Sequence, residues 1–237
     1  MTKRYLWIVL TYILMQLSGY VGYPILNSLN VPREHWAGLW GTISFLVALV
    51  IVLLLLIPDM KDPALRGGRV SGASAVKWAI GGIFLAYGAQ IVAGIIEINV
   101  FGIKQGSENT EMLVKIAKAT PYFMIVTSIA GPILEEIIFR KIIFGSLYRR
   151  FNFVIAAIIS SLIFAAVHFD FTHLLVYTAM GFVFAFLYVK TKRLLVPIVA
   201  HVSMNTLVML VQVIFADKIN DLQDKAEKMQ MIIGGLF

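Results

Sequence analysis

Long apolar runs separated by short polar segments recur along the whole chain, at 5–27, 38–57, 78–102, 121–148, 153–168, 174–190 and 194–216. A bilayer hydrocarbon core about 30 Å thick is crossed by roughly 20 residues of helix. The pattern therefore predicts about seven spans, or eight if one run divides. With no internal repeat, low-complexity tract or break in composition, residues 1–237 are expected to form one all-α integral membrane domain, a polytopic helix bundle. The start, "MTKRYLWIVLTYILMQLSGYVGYPIL", is basic, stays apolar for longer than a signal-peptide core and offers no small-residue cleavage site, so it is expected to remain as the first span.

Two further stretches are amphipathic. In "ENTEMLVKIAKATP" Met112, Leu113 and Ile116 are expected to share a face opposite Lys115 and Lys118, and Ile219, Leu222 and Met229 repeat the pattern near the end of the chain. Both suit helices lying at the membrane surface.

Composition sharpens this picture. The chain is 59% hydrophobic and 14% charged, with a mean hydropathy of +0.86, far from the balance of a soluble domain. The net charge of +7 sits mostly between apolar runs. Its partner is therefore the lipid bilayer and not nucleic acid. With a cytoplasmic N-terminus, eleven basic residues fall on the inner side and seven on the outer, which the positive-inside rule favours. The expected location is the bacterial cytoplasmic membrane, crossed several times. There is no cysteine, which excludes disulfides, thiolate metal ligands and a cysteine nucleophile.

Against this background the polar residues inside the spans stand out. A charged side chain at the centre of a membrane helix costs about 2.5–3.5 kcal/mol even on lenient scales, and such groups usually face a protein interior or a wet cavity. "SIAGPILEEIIFRKIIFG" places Glu135, Glu136 and Arg140 in the fourth run, "SSLIFAAVHFDFTH" ends the fifth with His168, and "LLVPIVAHVSMNTLV" puts His201 and Asn205 in the last. Residues four apart share a helix face. Glu136 is thus expected to pair with Arg140, leaving Glu135 free for chemistry, and His201 and Asn205 are expected to project to one side. At 1.5 Å of rise per residue, Glu135, His168, His201 and Asn205 lie roughly 22, 27, 12 and 18 Å from the inner basic residues, close enough for tilted helices to bring them to one polar cavity.

In the first three spans Gln16 and Gln90 are the only groups read as comparably polar at depth, satisfied between helices. His173 is expected to be structural or interfacial and Asp170 a solvated turn residue. Tyr5, Trp36 and Tyr188 suit the aromatic belt at span ends.

A glutamate and a histidine around one water make a hydrolytic pair. A histidine and an asparagine on one helix face can stabilise the oxyanion of a tetrahedral intermediate. The metal variant would use His168, His201 and Glu135 as three ligands of a catalytic zinc with an open position for water, although the H-E-x-x-H signature is absent.

"EEIIFR", "FAAVH" and "HVSMN" resemble the E-E-x-x-x-R, F-x-x-x-H and H-x-x-x-N motifs of the CPBP family, the CAAX proteases and bacteriocin-processing enzymes also called Abi. The likeness covers residues 121–210, expected to be the catalytic core. It implies an intramembrane endopeptidase in which Glu135 and His168 activate water, His201 and Asn205 stabilise the oxyanion, and Glu136 and Arg140 support the site. The family is described both as metallopeptidases and as glutamate-dependent enzymes, so no cofactor other than zinc is implied. The substrate would be a peptide or a membrane-bound protein, with bacteriocin or pheromone processing, or immunity, as the setting. A proton-coupled transporter using a Glu/His relay and a non-catalytic membrane scaffold are the alternatives from other classes.

Overall fold

The computed structural model describes residues 3–62, 67–104 and 106–234, with side chains beyond 215 described only at Lys225 and Met229. The expected amphipathic face of Ile219 and Leu222 therefore lies on side chains outside the described residues. Everything regular in the described residues is helical. Helices α1 (Lys3–Leu17) and α2 (Gly19–Ser28) meet at a 43° bend. The bend is set at Ser18, whose hydroxyl donates back to Met15 O and accepts from Trp40 Nε1 at 2.9 Å. Helix α3 (Trp36–Lys61) follows a short 3₁₀ turn. Helix α4 (Gly72–Phe101) starts at Ser71, whose hydroxyl accepts from Ser74 N, and stops at Gly102 with φ 66°. Both ends follow ordinary capping chemistry.

Helix α5 (Glu108–Ala119) is capped by Ser107. Its buried face is Val114 and Ala117, packed with Met209, whereas Met112 is exposed. The face thus differs from the one expected, because the neighbouring helix meets α5 about a third of a turn around.

Helix α6 covers 123–147 as α and π windings in alternation, with Val126–Ala130 and Glu136–Phe144 π-helical. Helix α7 (Phe153–Ala166) starts from an Asn152 cap and α8 (Leu174–Thr191) ends at Lys192 in a left-handed conformation. Helix α9 runs Leu195–Gly234.

Among the described residues four helical spans, Arg33–Lys61, Gly72–Phe101, Phe171–Thr191 and Leu195–Phe215, are long and apolar enough to cross a membrane, and the bent α1–α2 pair makes five. The expected count of about seven is not confirmed, for two physical reasons. Helix α7 has 14 residues, about 21 Å of rise. Helix α6 carries Glu135, Glu136, Arg140 and Lys141 among its π turns.

Helix α6 sits at the centre, with Glu136, Ile137, Ile138, Phe139, Arg140, Ile142 and Phe144 all buried. Helix α8 packs between α7 and α4, and α9 packs against α4 and α6. The α7–α8 approach is close because Gly181 faces Ser161, where an added Cβ would stand 2.8 Å from the serine Cβ. Small residues at such crossings are what lets helices associate in lipid.

An ionic cluster that the sequence did not announce ties α1, α3 and α6. Asp59, 5% exposed, is bound by Arg4, by the Tyr5 hydroxyl at 2.5 Å and by Lys141 Nζ at 2.8 Å. Tyr5 is thus a buried hydrogen-bond donor and not a belt residue. Removing one partner of a buried ion cluster typically costs about 3–5 kcal/mol because the remaining charges lose their counter-ion. Asp59→Ala is therefore expected to lower stability by about 3 kcal/mol, read as a drop in the thermal unfolding midpoint in detergent, with Lys141→Met in the same chain restoring part of it.

Candidate active site

The middle of α6 is wound as a π-helix, a rare geometry that concentrates at functional sites. It turns Glu136 and Arg140 inward together, both 0% exposed. Arg140 Nε lies 3.2 Å from Glu136 Oε2, close enough for strong attraction although the angle is not that of a linear hydrogen bond. The guanidinium is flanked by the rings of Phe164 at 4.7 Å and Phe184 at 5.7 Å. Aromatic faces replace water around this cation.

The other oxygen of Glu136 has a partner the sequence did not predict. Glu136 Oε1 accepts from His201 Nδ1 at 3.0 Å. This bond orients the imidazole and aims its other nitrogen at Glu135, where His201 Nε2 stands 3.6 Å from Oε2. Phe184 stacks on the His201 ring at 4.7 Å and holds its plane.

Glu135 keeps a side chain 17% exposed and lines a cavity of about 650 Å³ together with His168, His201 and Asn205. The structure thus brings all four expected catalytic residues to one space. The nearest histidine to Glu135 is His201, whereas the sequence paired Glu135 with His168. His168 Nδ1 lies 2.8 Å from Phe164 O, and since a carbonyl only accepts, Nδ1 carries the hydrogen and Nε2 is left as the acceptor. The His168 ring stacks on Tyr177 at 4.2 Å. Asn205 Nδ2 donates to Thr127 O at 3.2 Å, leaving its second N–H for the cavity.

The zinc variant meets a less suitable donor set. Among the described residues no group of three His, Cys, Asp or Glu side chains is disposed to hold a metal ion. His168, His201 and Glu135 share the cavity without forming such a group.

The same cavity holds residues that sequence reasoning missed. Glu97, 2% exposed on α4, accepts from His173 Nδ1 at 2.8 Å and from Val176 N at 3.1 Å. Its signal was a lone carboxylate inside "GIIEINV", overlooked because it falls near the end of a predicted span. Asp170 is also not solvated: it is 7% exposed and accepts from Ser107 Oγ at 2.6 Å. Tyr177 is tied to Asn109 at 3.3 Å. These contacts fasten the start of α5 across the cavity to the loop that follows His168.

With the geometry in hand, comparison with known proteins is informative. The model of the type II CAAX prenyl endopeptidase Rce1-like family matches residues 117–207, a stretch that contains Glu135, Glu136, Arg140, His168, His201 and Asn205. YdiL of Bacillus subtilis (strain 168), which carries the name of a membrane peptidase, is 49% identical over an alignment of 245 residues covering 100% of both chains. The membrane-embedded CAAX protease MroQ of Staphylococcus aureus (strain USA300) is 34% identical over 234 residues, covering 92% of this chain and 94% of its own. No solved structure matches the chain. Likeness to these membrane peptidases along nearly their whole length places the chain, a multi-pass cell-membrane protein, in the Rce1-like CAAX endopeptidase family.

Proposed function

We propose that the chain is an intramembrane endopeptidase that hydrolyses a peptide bond in a peptide or membrane-protein substrate with water activated by Glu135 and His168. Family membership supports membrane peptidase activity. The observation that carries the finer reading is the partly exposed Glu135 carboxylate facing His201 Nε2 in a cavity inside the bundle.

In this reading both ring nitrogens of His201 carry hydrogens, and Glu136 is shared between that ring and Arg140, a pairing that limits the cost of burying ions. In the reaction, Glu135 takes a proton from water while His168 Nε2, a free acceptor, orients it. The hydroxide oxygen bonds to the scissile carbonyl carbon, and the carbonyl oxygen becomes an oxyanion. His201 Nε2–H and the second N–H of Asn205 are the donors available to it, preorganised by Glu136 and Thr127. When the C–N bond breaks, Glu135 returns its proton to the leaving amine, which leaves a new carboxyl and a new amino terminus. The residues do not fit a metal, so no step runs through one.

The test is cleavage of a fluorogenic peptide library by the purified chain in detergent or nanodiscs. Glu135→Gln is expected to lower kcat by about 10²–10⁴-fold, the range for loss of a general base. Asn205→Ala is expected to cost about 10²–10³-fold in kcat with little change in KM, as for a missing oxyanion donor. Glu136→Gln removes the charge shared by Arg140 and His201, so it is expected to lower stability by about 3 kcal/mol as well as activity. Activity is expected to survive a chelator. Loss on chelation with recovery on added zinc would instead make His168 and His201 metal ligands.

A further inference from the structure

We propose that Glu97 is a positioning residue for this reaction, acting through His173 and the first turn of α8 to set the orientation of His168. The proposal rests on the hydrolytic reading of the site above.

The starting point is a carboxyl group buried in an apolar helix, a placement that costs several kcal/mol unless its oxygens are engaged. Both are. Oε2 accepts from His173 Nδ1 at 2.8 Å, and Oε1 accepts from the Val176 backbone N–H at 3.1 Å. Val176 is the third residue of α8, whose N–H has no partner within its own helix. The N-cap residue His173 makes no side-chain capping bond to its own helix. Glu97 thus caps α8 from a different helix, and the buried carboxyl is well placed against the positive end of the helix dipole.

That cap controls the surface on which His168 rests. Tyr177, stacked on the His168 ring at 4.2 Å, follows Val176 directly. Between His168 and His173 the chain reverses at Phe169, which adopts φ 55°, a conformation that a bulky residue enters only when its surroundings hold it there. One end of this reversal is fixed by the His168–Phe164 bond and the other by the His173–Glu97 bond. Without Glu97 the loop and the first turn of α8 keep the contacts of Asp170 and Tyr177 with the start of α5 but lose the tie to α4 and the cap. Tyr177 would then shift with the uncapped turn, and the imidazole stacked on it would tilt about its bond to Phe164 O, displacing the Nε2 that meets water. Misplacement of a reacting group by about 1 Å is enough to cost about 10²-fold in rate.

The experiment uses the full-length chain in micelles, labelled with nitrogen-15 histidine. The chain has four histidines, so each ring can be assigned by single substitution. Glu97→Gln keeps the shape of the side chain, and His173→Asn keeps an N–H donor. Each is expected to lower kcat about 10- to 100-fold on the peptide that the wild type cleaves best, with KM within about twofold. The ring signals of His168 are expected to shift in both variants, while those of His35 stay in place. Combining the two substitutions is expected to add little further loss, because both break one linkage. Should Glu97→Gln fail to fold, His173→Asn alone carries the test. Wild-type kcat with unshifted His168 signals in either folded variant would overturn the proposal. A wild type that cleaves no peptide would overturn the hydrolytic reading alone, and the His168 signals would still decide the role of Glu97.

Discussion

The fully buried carboxylate of Glu136 is shared between Arg140 and His201, and the rest of the site is arranged around it. A buried anion must be matched by cations or it will take up a proton. Here one oxygen faces a guanidinium that is itself enclosed by Phe164 and Phe184, and the other accepts from His201. This arrangement joins α6 to α9 and orients the second nitrogen of His201 toward Glu135. The same carboxylate therefore supports a helix contact and orients the ring that faces Glu135.

The π winding of Glu136–Phe144 makes room for this sharing. By widening the helix it exposes more of its circumference to neighbours, and that stretch of α6 is consequently buried on almost every side. Packing around it is tight where small residues meet, as at Ser161 and Gly181, and ionic where α1 and α3 meet α6 through Asp59. A second carboxyl, Glu97, does comparable work at the far side of the cavity by holding the start of α8. Two buried acids on different helices, Glu136 and Glu97, thus hold His201 and His173.

Much of this was legible in the sequence. The hydropathy pattern placed the helices, and the i, i+4 spacing of Glu136 and Arg140 and of His201 and Asn205 anticipated which groups would face inward. The bond between Glu136 and His201 was not legible, because it depends on how α9 rotates against α6. The sequence placed His201 in the cavity as an oxyanion donor but, for the same reason, did not anticipate that its ring faces Glu135. Asp170 was read as solvated, and Asp59 and Glu97 drew no reading, because each lies at or near the end of a helix, where a charged residue ordinarily reaches water. Only the packing of Tyr5, His173 and Ser107 over them reveals that they are buried. The expected number of spans is not confirmed, since α7 is short and α6 is interrupted by π turns and charges.

The central claim is that water, deprotonated by Glu135, attacks the peptide carbonyl with no covalent enzyme intermediate. It is tested most directly by a single turnover, with enzyme in excess, in oxygen-18 water containing hydroxylamine. The account predicts a product carboxyl group carrying one oxygen-18 atom, no hydroxamate, and no label in the protein. A hydroxamate product, or oxygen-18 recovered on the side chain of Glu135, would show that the carboxylate attacks the substrate itself and would contradict the account.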